Sequence, residues 1–340
     1  MSKIEVTSPF DGRVVGTVLY GSVKEVQTAL DLAQATFLDH KNALPTYKRV
    51  EILENVVKIM SSQIDELTKL CASEGGKPWV DSQVEVHRAI NGVKLAIEAL
   101  GTREGKQIAM GHTASSANRM AYTFKEPIGV VAAISAFNHP LNLAIHQVIP
   151  AIAVGCSVII KPATQTPMSA IRLVEILEEA GLPKGWAQAV VCDREGGELL
   201  ATSAKVNALT FIGSGKVGWY LNSKVAPGTR VALEHGGVAP VIVEADANID
   251  ELIPSIGKGG FYHAGQVCVS VQRVFVHESI VDEVATKLAD YASKLVVGDQ
   301  LDPKTEVGPL INHNEVNRVE EWVNEAVIKG GKILTGGKRI

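Results

Sequence analysis

The chain has 340 residues, of which 46% are hydrophobic and 21% charged, and its net charge is -4. These values are ordinary for a packed globular protein large enough for two domains, and they argue against a general nucleic-acid surface. The opening stretch MSKIEVTSPFDG has no apolar core of signal-peptide length, and the later apolar stretches are too interrupted to span a bilayer. We therefore expect a cytoplasmic protein with small-molecule partners.

The order of apolar residues predicts an α/β fold. The first hundred residues have mostly helical spacing, for example across residues 47–76. After residue 128, six short β-branched runs alternate with helical stretches, which is typical of a parallel sheet with crossover helices. These runs begin at residues 129, 156, 186, 206, 229 and 240. Residues 105–127 interrupt the alternation and predict an inserted hairpin or arm, and a strand–helix pair from residue 273 begins a second sheet.

A glycine-rich turn follows the fourth of these runs. The stretch FIGSGKVG holds Gly213, Gly215 and Gly218 in the order G-x-G-x-x-G, and the next apolar run ends at Glu234. In a Rossmann unit such a turn binds a pyrophosphate, and an acid after the next strand binds a ribose. Here three strand–helix units precede the turn, and glycines also suit any tight turn between a strand and a helix. The pattern leaves open whether Glu234 binds a ribose or takes part in chemistry.

The four cysteines are widely spaced and form no CxxC pair. This spacing argues against a disulfide framework and against a zinc site. Cys71, Cys156 and Cys192 lie within apolar patterns, and we expect them to be buried hydrophobic residues. Cys268 follows a Gly-Gln pair in FYHAGQVCVS and is a different case.

Six motifs, in chain order, resemble those of the aldehyde dehydrogenase superfamily. They are SAFNHPLN with Asn138, VIIKPATQTP with Lys161, FIGSGKVG, ALEHGGVAPVIV with Glu234, FYHAGQVCVS with Cys268, and GDQLDPKTEVGPLIN. The interval between Glu234 and Cys268 is also the one that the family uses. The resemblance covers the whole chain and implies NAD(P)-dependent oxidation of a small aldehyde to its carboxylic acid.

The resemblance implies roles that match the chemistry of the residues. Cys268 would be the nucleophile, because a thiolate forms a tetrahedral adduct from which hydride leaves readily. The side-chain amide of Asn138 and the backbone N–H of Cys268 would stabilise the oxyanion of that adduct. Glu234 would draw a proton from the water that hydrolyses the resulting thioester. From the residues alone, Asn138 could instead begin a turn, and Glu234 could cap one.

The resemblance also assigns the cofactor and substrate residues. Lys161 would lie at the adenosine ribose, with Gly213 and Ser214 near the pyrophosphate and nicotinamide side. We expect Phe137, Phe211 and Gln266 to be pocket walls, with Phe211 on the cofactor side. Lys161 could otherwise be a solvated strand end.

Two departures from the family pattern bear on specificity. Thr164 stands where many members carry an acid that binds both ribose hydroxyls, so we expect NADP to be accepted, while NAD stays possible because no phosphate-pairing arginine is evident. His139, after the catalytic Asn138, resembles members that oxidise lactaldehyde-like or phosphonate- or sulfonate-bearing aldehydes. It indicates a hydroxylated or anionic short-chain aldehyde, or else a histidine packed in the turn.

The implied fold is α/β, with a Rossmann-like parallel-sheet cofactor domain and an aldehyde dehydrogenase-like catalytic domain that is incomplete at its C-terminus. We expect residues 1–104 and 128–235 to form the NAD(P)-binding domain, residues 105–127 an oligomerisation arm, and residues 236–340 the catalytic domain. Family members normally continue further, so we expect a fragment or a natural truncation with an exposed apolar surface. The resemblance implies homodimers or homotetramers in the full-length form.

Three alternatives remain open at this point. A CoA-acylating relative is disfavoured because Glu234 gives water a base. An ordinary Rossmann dehydrogenase or reductase would use Glu234 to bind ribose and leave Cys268 inert. A folded, nucleotide-binding remnant without turnover would use neither residue for chemistry.

Overall fold

A computed structural model describes residues 2–340, and in this part of the chain it contains eleven strands and eleven α-helices. The strands are β1 Ser2–Thr7, β2 Val14–Tyr20, β3 Gln107–Ile108, β4 Ala121–Tyr122, β5 Val130–Ile134, β6 Ser157–Lys161, β7 Ala187–Ala189, β8 Val206–Ile212, β9 Arg230–Glu234, β10 Val241–Val243 and β11 Val274–Val276. The helices are α1 Val23–Leu38, α2 Thr46–Ser62, α3 Ile64–Gly75, α4 Trp79–Gly101, α5 Pro140–Val154, α6 Met168–Glu179, α7 Arg194–Thr202, α8 Gly215–Asn222, α9 Ile249–Phe261, α10 Val281–Ser293 and α11 His313–Ile328.

The central element is a five-stranded parallel sheet in the order β7-β6-β5-β8-β9. Alternate residues of its strands face two apolar cores, as the period of a strand requires. Val131 and Ala133 belong to the core that α2, α4, α5 and α6 cover. Val130 and Ala132 belong to the core on the other face, which α1, α7 and α8 cover. The predicted parallel α/β fold with helices on both faces is confirmed.

Most of the predicted elements are present, with one error at the start of the chain. Residues 2–20 form an antiparallel hairpin of β1 and β2, so the expectation of a mostly helical first hundred residues is wrong for this part. The helical stretch over residues 47–76 is two helices, α2 and α3, separated at Gln63. The sixth β-branched run forms β10, which leaves the main sheet and pairs in parallel with β11. The predicted second sheet therefore exists.

The segment at residues 105–127 is an inserted hairpin, as predicted. Its strands β3 and β4 are two residues long and antiparallel. The side chains of Met120, Tyr122 and Phe124 are largely exposed on it. A further exposed apolar surface runs along α11, which has no buried residue. Among residues 2–340, no helix is both long and apolar enough to span a membrane.

Candidate active site

The carboxyl ends of neighbouring strands bring several of the predicted residues to one edge of the sheet. Ile134, the last residue of β5, pairs with Lys161 on β6 and with Phe211 on β8. On the next pair of strands Ile212 lies opposite Glu234, and the Glu234 carbonyl accepts a hydrogen bond from the backbone N–H of residue 213 at 3.0 Å. This edge is where parallel α/β sheets bind their ligands.

Asn138 links this edge to the loop that carries Cys268. It lies in the turn between β5 and α5, and its Nδ2 donates to the carbonyl of Gln266 at 2.8 Å. Its Oδ1 is buried and has no hydrogen-bond partner among residues 2–340. An amide nitrogen carries two donor hydrogens, so one N–H of Asn138 stays available beyond the bond to Gln266. Asn138 is thus bonded to Gln266, which precedes Cys268 by two residues in the sequence, and one N–H of its amide stays free.

Cys268 lies in an exposed turn, whereas the other three cysteines are buried. The turn after Glu234 packs directly against its backbone, because a Cβ built on Gly237 would lie only 2.8 Å from the Cys268 carbonyl oxygen. Glu234 itself is exposed at the end of β9. The turn that carries Asn138 and the turn that follows Glu234 therefore both contact the loop of Cys268.

Backbone strain is concentrated in the same segments. Among residues 2–340, the non-glycine residues with positive φ are Ala239 at 34°, His263 at 48° and Ala264 at 54°. Such a conformation costs about 1–2 kcal/mol for a residue with a side chain. All three residues lie in the turn after Glu234 or in the loop leading to Cys268, so the fold retains these two segments at a cost in stability.

The glycine-rich turn opens a short helix on the cofactor side. Ser214 is the N-cap of α8, and its side chain accepts a hydrogen bond from the N–H of Val217 at 3.4 Å. Phe211 is buried below the turn, and a Cβ on Gly213 would lie 2.7 Å from its ring. Phe211 therefore supports the turn from the core, and its role as a wall of the cofactor pocket stays a prediction. The exposed Ser214 and the helix N-terminus present donors that suit a phosphate.

Lys161 is partly buried beside α7. Burial lowers the pKa of its ammonium group, and its Nζ donates to the carbonyl of Pro162 at 3.3 Å. Its stem passes Gly197, where an added Cβ would lie 3.1 Å from Cδ and Cε of the lysine. Thr164 is exposed in the turn that follows. Lys161 is therefore not a freely solvated strand end.

His139 is packed inside the turn before α5. Its Nε2 lies 3.2 Å from the Tyr262 hydroxyl, and the two rings stack with centroids 5.9 Å apart. Burial, with a smaller effect of Lys77, lowers the pKa of His139 to about 2, so its ring is neutral. A neutral ring does not attract an anionic aldehyde by charge. That His139 lines the substrate pocket stays a prediction.

The side chain of Gln266 joins two loops. Its Oε1 accepts from the N–H of Ile311 at 2.9 Å, and its Nε2 donates to the carbonyls of His263 at 3.2 Å and Pro309 at 3.4 Å. Phe137 is half-buried and packs edge-on against the His263 ring. Gln266 thus positions the Cys268 loop, a role that the sequence did not indicate.

The family model for "Aldehyde dehydrogenase family" matches residues 1–340. The chain belongs to the aldehyde dehydrogenase family. It is 40% identical to a 3-sulfolactaldehyde dehydrogenase from Priestia aryabhattai over 338 residues, which are 99% of this chain and 70% of that protein. It is 38% identical to a lactaldehyde dehydrogenase from Methanocaldococcus jannaschii over 341 residues, covering 99% of this chain and 72% of the relative.

A solved structure of the same family has the same fold. It is a glyceraldehyde-3-phosphate dehydrogenase from Methanocaldococcus jannaschii complexed with NADP, with a TM-score of 0.93 and 37% identity. The match covers 99% of this chain and 73% of that structure. This similarity confirms the predicted aldehyde dehydrogenase fold.

A buried charged cluster that was not predicted from the sequence lies behind the site of this aldehyde dehydrogenase. Lys77 and Glu85 form an ion pair in the core, and Glu74 is buried nearby. A signal for Glu85 was present, because it shares a helix face with the buried residues Ser82, Val86 and Ala89. A charged residue among core positions indicates a partner that is also buried.

Proposed function

We propose that this aldehyde dehydrogenase oxidises a small aldehyde to its carboxylic acid with NAD(P)+, through a covalent intermediate on Cys268. The observation that carries the proposal is that the turn after β5 and the turn after β9 both contact the loop of Cys268. Asn138 is bonded to the loop of Cys268, and the turn after Glu234 packs on the Cys268 backbone. Membership of the family and the names of the relatives support the reaction class.

In the first step the Cys268 thiolate adds to the aldehyde carbon and forms a thiohemiacetal. The carbonyl oxygen takes the negative charge, and the free N–H of the Asn138 amide and the N–H of Cys268 donate to it. Neither donor can lose its proton at neutral pH, so the charge is stabilised without proton transfer. The exposure of Cys268 fits an attacking group that must meet substrate.

The second half of the reaction releases the acid. A bound NAD(P)+ supplies the acceptor for the hydride that leaves the adduct, and Cys268 then carries a thioester. Glu234 draws a proton from water, the hydroxide adds to the thioester carbon, and the thiolate of Cys268 leaves. The exposed position of Glu234 at the end of β9 gives water access to it.

The residues on the cofactor side fit a phosphate-bearing dinucleotide. Ser214 and the N-terminus of α8 offer uncommitted backbone donors, and Lys161 adds a positive charge at the same edge of the sheet, at the end of β6, which β5 separates from β8. The hydroxyl of Thr164 adds no negative charge that would repel a 2'-phosphate. We therefore propose that NADP is accepted as well as NAD.

We propose that the substrate is a short-chain aldehyde with a hydroxyl or an anionic group. Two relatives are named for 3-sulfolactaldehyde and lactaldehyde, and the motif FNHPLN resembles such members. The buried, neutral His139 would contact a hydroxylated aldehyde by shape and hydrogen bonding, and it would not discriminate between anionic and neutral aldehydes.

The experiment combines thiol labelling with activity. Native protein treated with iodoacetamide should be alkylated first at Cys268, since the other cysteines are buried, and it should lose formation of reduced cofactor from short aldehydes in step with labelling. Cys268→Ser should abolish activity, and the matched control Cys192→Ala should retain it. Activity that survives complete alkylation of Cys268 would refute the proposal.

We also propose that residues 1–104 and 128–235 form the NAD(P)-binding domain and that residues 236–340 form the catalytic domain. We further propose that the chain assembles through the arm at residues 105–127. The exposed Met120, Tyr122 and Phe124 on this arm support a contact surface. Light scattering of the wild type and of Phe124→Asp tests the assembly. A mass that is unchanged by the substitution would contradict the role of the arm.

A further inference from the structure

The turn that carries Asn138 is followed by a helix whose N-terminus is capped from elsewhere. The first helical residue of α5 is Pro140, which has no N–H, and its N-cap His139 makes no side-chain capping bond. The next two N–H groups, of Leu141 and Asn142, both donate to Oε1 of Glu85 at 2.9 Å. The Glu85 carboxylate on α4 therefore caps the N-terminus of α5 in place of a local side chain, and its negative charge complements the helix dipole.

The second oxygen of Glu85 pairs with Lys77, and Lys77 reaches the catalytic turn itself. Its Nζ donates to the backbone carbonyl of Asn138 at 3.1 Å. Both charged side chains are almost completely buried. A buried ion pair adds little net stability over well-packed apolar residues, but its hydrogen bonds are strong and directional. The pair holds the Asn138 backbone from one side, while Gln266 holds its amide from the other.

We infer that Lys77 and Glu85 are positioning residues for the oxyanion site, because together they fix both the carbonyl of Asn138 and the N-terminus of the helix that follows it. The inference rests on the proposed function, in which the Asn138 amide donates to the oxyanion. Loss of the pair leaves Cys268 in place and lets the Asn138 amide move away from the developing charge. A misplacement near 1 Å lowers the rate of such a step about 100-fold.

The chain offers a matched control at the neighbouring helix. Glu74 is equally buried, and its carboxylate accepts from the N–H groups of Met168 at 2.8 Å and Ser169 at 2.9 Å, at the start of α6. It thus caps a helix N-terminus from another element, as Glu85 does, but no hydrogen bond joins it to Asn138 in residues 2–340. Glu74→Gln therefore reports what the replacement of a buried capping carboxyl group does to the fold alone.

The test compares the wild type, Lys77→Met/Glu85→Gln and Glu74→Gln. The double variant removes both charges together, so no unpaired charge is left in the core, and the glutamine keeps an oxygen for the two α5 amides. Three quantities are measured: the rate of the burst of reduced cofactor on mixing with aldehyde, the rate of Cys268 alkylation by iodoacetamide, and the cofactor Kd. Alkylation needs the thiolate but no oxyanion site, so it separates the two parts of the active site.

We expect the burst rate of the double variant to fall about 10- to 100-fold, with alkylation and cofactor Kd within about twofold of the wild type. Glu74→Gln should keep its burst rate within about twofold. A double variant with a wild-type burst would overturn the inference, and so would a burst that falls in step with alkylation. Should the double variant not fold, Glu85→Asp, which keeps the charge of the ion pair but shortens its reach to the α5 amides, takes its place. A Cys268→Ser protein that keeps the burst of the wild type would instead refute the proposed function.

Discussion

Gly237 is a position at which one added methyl group should disturb the catalytic geometry. A Cβ on Gly237 would lie 2.8 Å from the Cys268 carbonyl oxygen, whereas ordinary contacts begin at 3.4 Å. In Gly237→Ala the two segments must separate by about 0.6 Å, because both atoms belong to backbone or are fixed to it. The backbone N–H of Cys268 and the turn after Glu234 would then move apart.

The expected cost follows from that displacement. Overpacking of this kind lowers the free energy of unfolding by about 1–3 kcal/mol. A shift of roughly half an ångström in the reacting groups lowers the rate about 10-fold, if 1 Å costs about 100-fold. The assay is the burst of reduced cofactor in rapid mixing, together with urea unfolding.

The neighbouring glycine gives the matched control. A Cβ on Gly236 would meet no atom within 4 Å, so Gly236→Ala changes the flexibility of the same turn without a clash. We expect its burst rate to stay within about twofold of the wild type. A Gly237→Ala protein with both burst rate and stability of the wild type would refute the packing of this turn against Cys268.

Three further predictions concern cofactor, stability and substrate. Thr164→Glu should lower kcat/KM with NADP about 10-fold relative to NAD, since a carboxylate would repel the 2'-phosphate; an unchanged ratio would contradict the role of this position. Burial raises the pKa of Glu74 to about 7, so the stability of the wild type relative to Glu74→Gln should fall by on the order of 3 kcal/mol from about pH 5 to about pH 8. Urea unfolding at both pH values measures this, and a constant difference would refute it. His139→Leu should lower the free energy of unfolding by about 1 kcal/mol, because the hydrogen bond to Tyr262 is lost. The same variant should keep the ratio of kcat/KM for anionic and neutral aldehydes within about threefold of the wild type, and a larger change would show a charge role for His139.

The sequence was sufficient for those features that depend on local pattern. β-branched runs alternating with helical runs predicted the parallel sheet, and the α/β rule then placed Lys161 and Glu234 at its carboxyl edge. Their mutual arrangement follows from the strand order, in which β5 lies between β6 and β8. No local pattern determines that order, so the packing of the turn at Gly237 against Cys268 could not be predicted.

The errors and omissions have physical causes as well. The hairpin of β1 and β2 was missed although its apolar residues alternate, because the long helices after it dominated the composition of that region. Lys77 and Glu85 were missed because charged side chains are assumed to be solvated unless a partner is known. Their partners in the turn at Asn138 and at the start of α5 lie far from Lys77 and Glu85 in the sequence. Only the packing of α4 against α5 brings them together.

The most direct test of the proposed chemistry is rapid mixing of Glu234→Gln with NADP or NAD and short aldehydes. We predict a burst of about one equivalent of reduced cofactor per active site, followed by a stall, because the thioester on Cys268 forms but its hydrolysis lacks a base. The wild type should continue to turn over under the same conditions. A variant that keeps the turnover of the wild type and only binds cofactor more weakly would contradict this role and would place Glu234 on the ribose.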